Sequence, residues 1–95
     1  MRNNKSSKGK PPLANTIQLR RLTADEALLR LDKYLDDAFM AGLYKVSVIH
    51  GKGTGTLRQA ICDRLLNHHP LVKSYRPGDY GGGGVGVTVV ELVPR

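Results

Sequence analysis

Apolar residues recur along this chain at two different spacings. Around Thr16 to Leu19 they alternate: Ile17 and Leu19 face one way, Gln18 and Arg20 the other, as in a strand with one polar side. From residue 23 the spacing changes to three and four. Leu28, Leu31, Leu35, Ala38 and Phe39 form a stripe, and Arg30, Lys33, Asp36 and Asp37 fall largely off it. Thr23-Ala24-Asp25-Glu26 is a capping box, in which the Thr hydroxyl accepts from a backbone N–H three residues on and the Glu side chain reaches back. Gly42 is a natural stop. The pattern predicts a helix over 23–41. Lys45 to Ile49 is a β-branched run suited to a buried strand. A second helix is expected from Thr56, with Leu57, Ile61 and Leu65 on one stripe and His68, His69 and Pro70 ending it. Val72 to Arg76 reads as a third strand, Pro77 to Gly84 as a flexible loop, and the Val-rich stretch Val87 to Leu92 as an interior strand.

The order is therefore β-α-β-α-β-β. Strands separated by helices form parallel pairs through right-handed crossovers, and a connection too short for a helix makes the last two an antiparallel pair. The expected fold class is α/β (α+β): a two-layer sandwich with a four-stranded mixed sheet and two helices. The pattern leaves open whether both helices cover one face. There is no internal repeat.

Composition narrows the class. Ninety-five residues make one domain, and 15 Lys plus Arg against 8 Asp plus Glu give a formal charge of +7, which favours a polyanionic partner. Residues 1–12 carry Arg2, Lys5, Lys8 and Lys10 and no acid, and have no apolar face. Residues 1–14 are read as a disordered basic tail or linker, either solubilising or a non-specific phosphate arm, and 15–95 as the domain. No apolar run is long enough to span a membrane, and the N-terminus lacks a signal-peptide pattern. The lone Cys62 can form no internal disulfide, and no Cys/His spacing suggests zinc. These features suit a cytoplasmic protein. With no Trp and one Phe, the chain lacks the aromatic platforms on which single strands are often stacked.

The chemistry-bearing segment is His50-Gly51-Lys52-Gly53-Thr54-Gly55, between a buried strand and a helix start. Glycines let the backbone approach a ligand and take positive φ. Helix-terminal N–H groups attract anions, Lys52 adds a mobile charge, and His50 sits at a strand's C-terminal end, where it can hydrogen-bond to phosphate or exchange a proton. The bland alternative is a tight turn with an incidental histidine. The segment is no P-loop, since Lys52 lies between the glycines rather than after them, and it lacks the spacing of the dinucleotide fingerprint. No nucleotide-binding site is expected in this chain. Gly81 to Gly84 reads as a plain linker, Cys62 as a small buried residue, and His68 and His69 as helix-end groups. Tyr75 is as easily core, and Tyr80 as easily loop, as base-stacking.

Four stretches together resemble the Smr (small MutS-related) domain, in particular the one at the C-terminus of the second bacterial MutS paralogue. They are the helix Thr23–Gly42, VIHGKGTGTLR (Val48–Arg58), HPLVKSYRPG (His69–Gly78) and GGVGVTVVEL (Gly83–Leu92). The resemblance covers about residues 16–92. It implies a sandwich similar to the C-terminal domain of bacterial translation initiation factor three. It also implies binding to branched or structured nucleic acid, and endonucleolytic nicking in several members. Relatives act in suppressing recombination or in cleaving RNA at stalled ribosomes. The family's His-Gly-x-Gly turn falls on His50, Gly51, Lys52 and Gly53. Its first-strand Leu-Asp-x-Arg motif falls on Ile17-Gln18-Leu19-Arg20. Arg20 matches, but Gln18 stands where the family has an acid, and Arg21 stands where a glycine usually follows. A neutral amide is neither a base nor an anionic ligand. Nucleic-acid binding is thus expected of Arg20, His50, Gly51, Lys52, Gly53, Thr54, Gly55 and Arg58. If cleavage survives, His50 acts as general acid/base or transition-state stabiliser and Arg20 and Lys52 neutralise phosphate charge, with Mg²⁺ as the candidate cofactor. DNA is the favoured partner; RNA or the ribosome, bound by a non-catalytic module, is the alternative.

Overall fold

The computed structural model describes residues 13–51, 55–78 and 84–95. The basic tail over 1–12, the turn residues Lys52, Gly53 and Thr54, and the stretch 79–83 with Tyr80 lie outside the described residues. The chain runs β1 (Thr16–Gln18), α1 (Ala24–Met40), β2 (Lys45–Ile49), α2 (Thr56–Ile61) continuing into a π-helical turn (Cys62–Leu66), β3 (Val72–Gly78) and β4 (Gly84–Leu92). The four strands form one mixed sheet in the order β1-β2-β4-β3.

The capping box closes as the sequence predicts. The Glu26 N–H donates to the Thr23 hydroxyl at 3.2 Å, and the Thr23 N–H donates to the Glu26 carboxylate at 3.0 Å. At the other end of α1, the Gly42 N–H reaches the Phe39 carbonyl and the Leu43 N–H the Ala38 carbonyl, at 3.1 and 3.0 Å. This Schellman closure requires the left-handed φ of +82° that Gly42 adopts. The buried stripe of α1 is Ala27, Leu31, Tyr34, Leu35 and Ala38, while Leu28 and Phe39, expected within it, are half-buried at its margins.

β1 pairs with β2 in parallel, as a helix crossover demands. The parallel pairing expected between β2 and β3 does not occur, because β4 lies between them, antiparallel to both. The reason is that β4 is apolar on both sides. Val90 and Leu92 join the main core, whereas Val87 and Val89 are buried on the opposite face, so this strand belongs in the sheet's interior. β3 takes the edge and continues through Pro77 and Gly78, which the sequence pattern had assigned to the loop. An edge strand tolerates a proline that cannot donate to the ladder.

One apolar cluster joins Leu31 and Leu35 of α1, Ile61 and Leu66 of the second helical segment, and Val46, Val48, Val90 and Leu92 of the sheet. Both helices therefore cover the same face, giving two layers. Leu31 and Leu35 are fully buried, and truncating either to Ala costs about 2–5 kcal/mol. The second helix departs from the expected regular α pattern at Cys62. There the Asn67 N–H reaches the Cys62 carbonyl five residues back, at 3.0 Å, and the wider turn brings Leu66 into the core beside Ile61.

Candidate functional site

The register of the sheet assembles the site. Parallel pairing sets Gln18 opposite Ile49, and the Leu19 N–H donates to the Ile49 carbonyl at 2.7 Å. Both chains therefore leave the sheet at the same edge, and Arg20 emerges beside His50 and Gly51. From the other side, the Gly86 carbonyl of β4 accepts from both the His50 and Gly51 N–H groups, each at 3.0 Å. The start of the turn is thus tied to two strands.

Gly51 has φ +87°, and a Cβ placed on it would lie 3.0 Å from Cγ and 3.2 Å from Cδ of Arg20. The arginine stem occupies the space that any other residue at position 51 would need. Gly55 caps α2 with φ +82°, and Nη2 of Arg58 lies 3.8 Å from where its Cβ would be. Arg58 therefore folds back over the end of the turn. Gly51 and Gly55 both take the positive φ that the sequence suggested.

His50 is 6% exposed and both its ring nitrogens are engaged. Nδ1 lies 3.0 Å from the Gly51 carbonyl, and Nε2 lies 2.8 Å from the Thr88 hydroxyl. A carbonyl only accepts, so Nδ1 carries the hydrogen; in the neutral ring Nε2 then accepts from the Thr88 hydroxyl. Burial pushes the His50 pKa below its ordinary value, partly opposed by the Gly51 carbonyl, and the nearby Arg58 cation pushes the same way as burial. In the resting structure the ring's lone pair is occupied, so His50 braces the turn.

Thr88 was not singled out in the sequence. Its signal was a hydroxyl in the inward register of a buried strand, two residues before Val90, and such a group needs a partner. Gln18 is turned toward its own chain: its Oε1 accepts from Arg20 Nε at 2.9 Å and from the Arg20 N–H at 3.2 Å. Arg21 adopts φ +70°, a left-handed conformation that favours glycine.

Charge is sorted along the molecule. Three acids elsewhere pair with cations: Asp25 with Arg64, Asp37 with Lys33 and Glu91 with Arg76. Among the described residues, neither Arg20 nor Arg58 makes an ion pair. His69, expected as a helix-end group, has its ring nearly buried. Nε2 lies 3.0 Å from Asp32, and Nδ1 accepts from the Leu71 N–H at 3.1 Å, tying the start of β3 to α1. Tyr75 packs against the core, with its hydroxyl donating to Asn67 at 2.6 Å.

The described site residues do not suit Mg²⁺. A hard divalent cation takes carboxylate and carbonyl oxygens. Here two guanidinium groups, an imidazole and an amide oxygen already shared with Arg20 face the turn. Among the described residues no cluster of three or more His, Cys, Asp or Glu could hold a metal. Also among them, no helix is long and apolar enough to cross a membrane.

With fold and site in view, the family follows: the Smr domain model matches residues 17–93, and the chain belongs to that family. Particular relatives narrow the type. The chain is 60% identical over 80 residues to "Endonuclease MutS2" of Clostridium novyi, and 63% identical over 76 residues to the protein of that name from Pelotomaculum thermopropionicum. These matches take in 84% and 80% of this chain and 10% of each relative, so the chain spans about a tenth of their length. Among solved structures it is similar to the Smr domain of Thermus thermophilus MutS2, with a TM-score of 0.78 and 47% identity, covering 83% of this chain and 98% of that one. It is also similar to YdaL, a stand-alone small MutS-related protein from Escherichia coli, with a TM-score of 0.70 and 26% identity, covering 90% and 69%.

Proposed function

We propose that this Smr domain binds nucleic acid, with structured or branched DNA as its substrate class, by gripping the sugar-phosphate backbone where β1 and β2 leave the sheet. One observation carries the reading. Arg20 and Arg58, lacking acidic partners among the described residues, flank a glycine turn that His50 and the Gly86 carbonyl hold in shape. Arginines without acidic partners suit phosphodiester oxygens. Lys52, Gly53, Thr54 and Gly55, which follow Gly51 in the sequence, belong to the proposed binding segment. Within a MutS2-type chain, such a grip serves DNA repair or the control of recombination in the cytoplasm.

Strand nicking is the second reading, favoured by the name "Endonuclease MutS2" of relatives at about 60% identity. In that reading Arg20 and Arg58 offset the charge that builds on the phosphate in the transition state. His50 contributes by holding the turn, since using it as a base requires its bond to Thr88 to break.

Fluorescence anisotropy on matched linear, branched and single-stranded DNA and on RNA tests the first reading. Affinity should fall steeply between about 50 and 200 mM salt, and Arg20→Ala should lower the slope of log K against log salt by about one. Affinity independent of salt contradicts the proposal, and tighter binding to RNA than to every DNA removes the DNA assignment. Conversion of supercoiled plasmid to open circle, with and without Mg²⁺, decides the second reading.

A further inference from the structure

Gln18 stands where the resemblance to the family implies an acid, and its geometry gives it a role. One atom of its amide faces two N–H groups of Arg20, at 2.9 Å from Nε and 3.2 Å from the backbone N. Two donors converging on one atom identify it as the oxygen. The amide NH₂ is then on the other side, and among the described residues it has no hydrogen-bond partner. Occupying Nε also fixes the plane of the guanidinium. Both terminal nitrogens, with four N–H groups, remain for a ligand, in the fork that matches two phosphate oxygens. The stem of the same arginine lies against Gly51, where no side chain competes for the space.

We infer that Gln18 is a positioning residue that converts the end of β1 into a phosphate-gripping fork: its oxygen orients Arg20, and the polar hydrogens left over on both side chains remain as donors. An acid at position 18 could supply the same acceptor, but it would place a negative charge beside Arg20 and an acceptor where phosphate approaches. The glutamine keeps the orientation without either penalty. The ligand class is a phosphodiester, and the inference rests on the reading that nucleic acid binds at this end of the sheet.

The test measures binding of one branched DNA across a salt series for the wild type, Gln18→Leu, Gln18→Glu and Arg20→Ala. Thermal melts confirm that each variant is folded, and NMR follows the Arg20 Nε–H signal. Gln18→Leu should weaken binding about three- to ten-fold, the worth of one net hydrogen bond, and should move the Nε–H signal toward that of an unrestrained arginine. Gln18→Glu should preserve the Nε–H signal yet weaken binding and lower the salt slope by about one. Arg20→Ala separates the two claims. If it weakens binding while Gln18→Leu equals the wild type, or while Gln18→Glu binds as tightly as the wild type, the positioning role is overturned and the binding site stands. If Arg20→Ala binds as the wild type does, the site itself is misplaced and the inference falls with it.

Discussion

Replacing Thr88 by Val keeps the shape of the side chain and deletes one hydroxyl. In the wild type Thr88 is 3% exposed and its hydroxyl is 2.8 Å from His50 Nε2, whose other ring nitrogen is committed to the Gly51 carbonyl. The valine leaves a buried ring nitrogen without a partner, which costs about 1–3 kcal/mol. For a domain of this size each kcal/mol lowers the melting temperature by about 4–8 °C. Urea denaturation at neutral pH should show the loss as a shifted midpoint with an unchanged slope. The loss should shrink when His50 is already Ala, with a coupling of about 0.5–3 kcal/mol in the double-mutant cycle. Imidazole ¹⁵N shifts should show the hydrogen on Nδ1 in the wild type. A Thr88→Val protein within 0.5 kcal/mol (about experimental scatter) of wild type, additive with His50→Ala, or an Nε2–H tautomer, would refute the reasoning.

The backbone at Arg21 offers a gain rather than a loss. Its φ of +70° is a conformation that disfavours side chains, so Arg21→Gly should stabilise the domain by about 1 kcal/mol in thermal melts; a destabilised variant would show that the side chain has unrecognised contacts. Thr23→Ala removes the N-cap hydroxyl of α1 and should cost about 1 kcal/mol by denaturant titration, whereas a neutral result would mean that the capping box adds nothing to stability. His50 has a folded-state pKa below its ordinary value, so its contribution to stability is present above pH ~6.5 and is lost as pH falls through the folded pKa. A pH series of unfolding free energies should show this decline, flattened in His50→Gln; equal declines in the two proteins would assign it to other groups.

How much of this could be read in the sequence depends on whether the information was local. The ends of α1 were written in Thr23, Glu26 and Gly42, because caps are satisfied by residues a few positions apart. The interior place of the last strand followed from valines on both of its faces. Insertion of β4 between β2 and β3 was not legible, since strand order depends on which edges meet in space. Nor was the π-helical turn at Cys62, although adjacent Leu65 and Leu66 are compatible with a change of helical phase there. At the candidate site, His50, Gly51, Gly55, Arg20 and Arg58 were named from spacing and resemblance. The burial of His50 was missed because it depends on Thr88, thirty-eight residues away. The turn of Gln18 toward Arg20 was missed because a lone amide gives no sign of which neighbour it bonds.

Where nucleic acid touches this domain is the decisive question. Backbone amide shifts followed during titration with a branched DNA at low salt should move most at Arg20, His50, Gly51, Gly55 and Arg58, and the effect should fade as salt is added. Shifts confined to the outer face of α1 around Leu29, or absent throughout the chain, would contradict the proposed site.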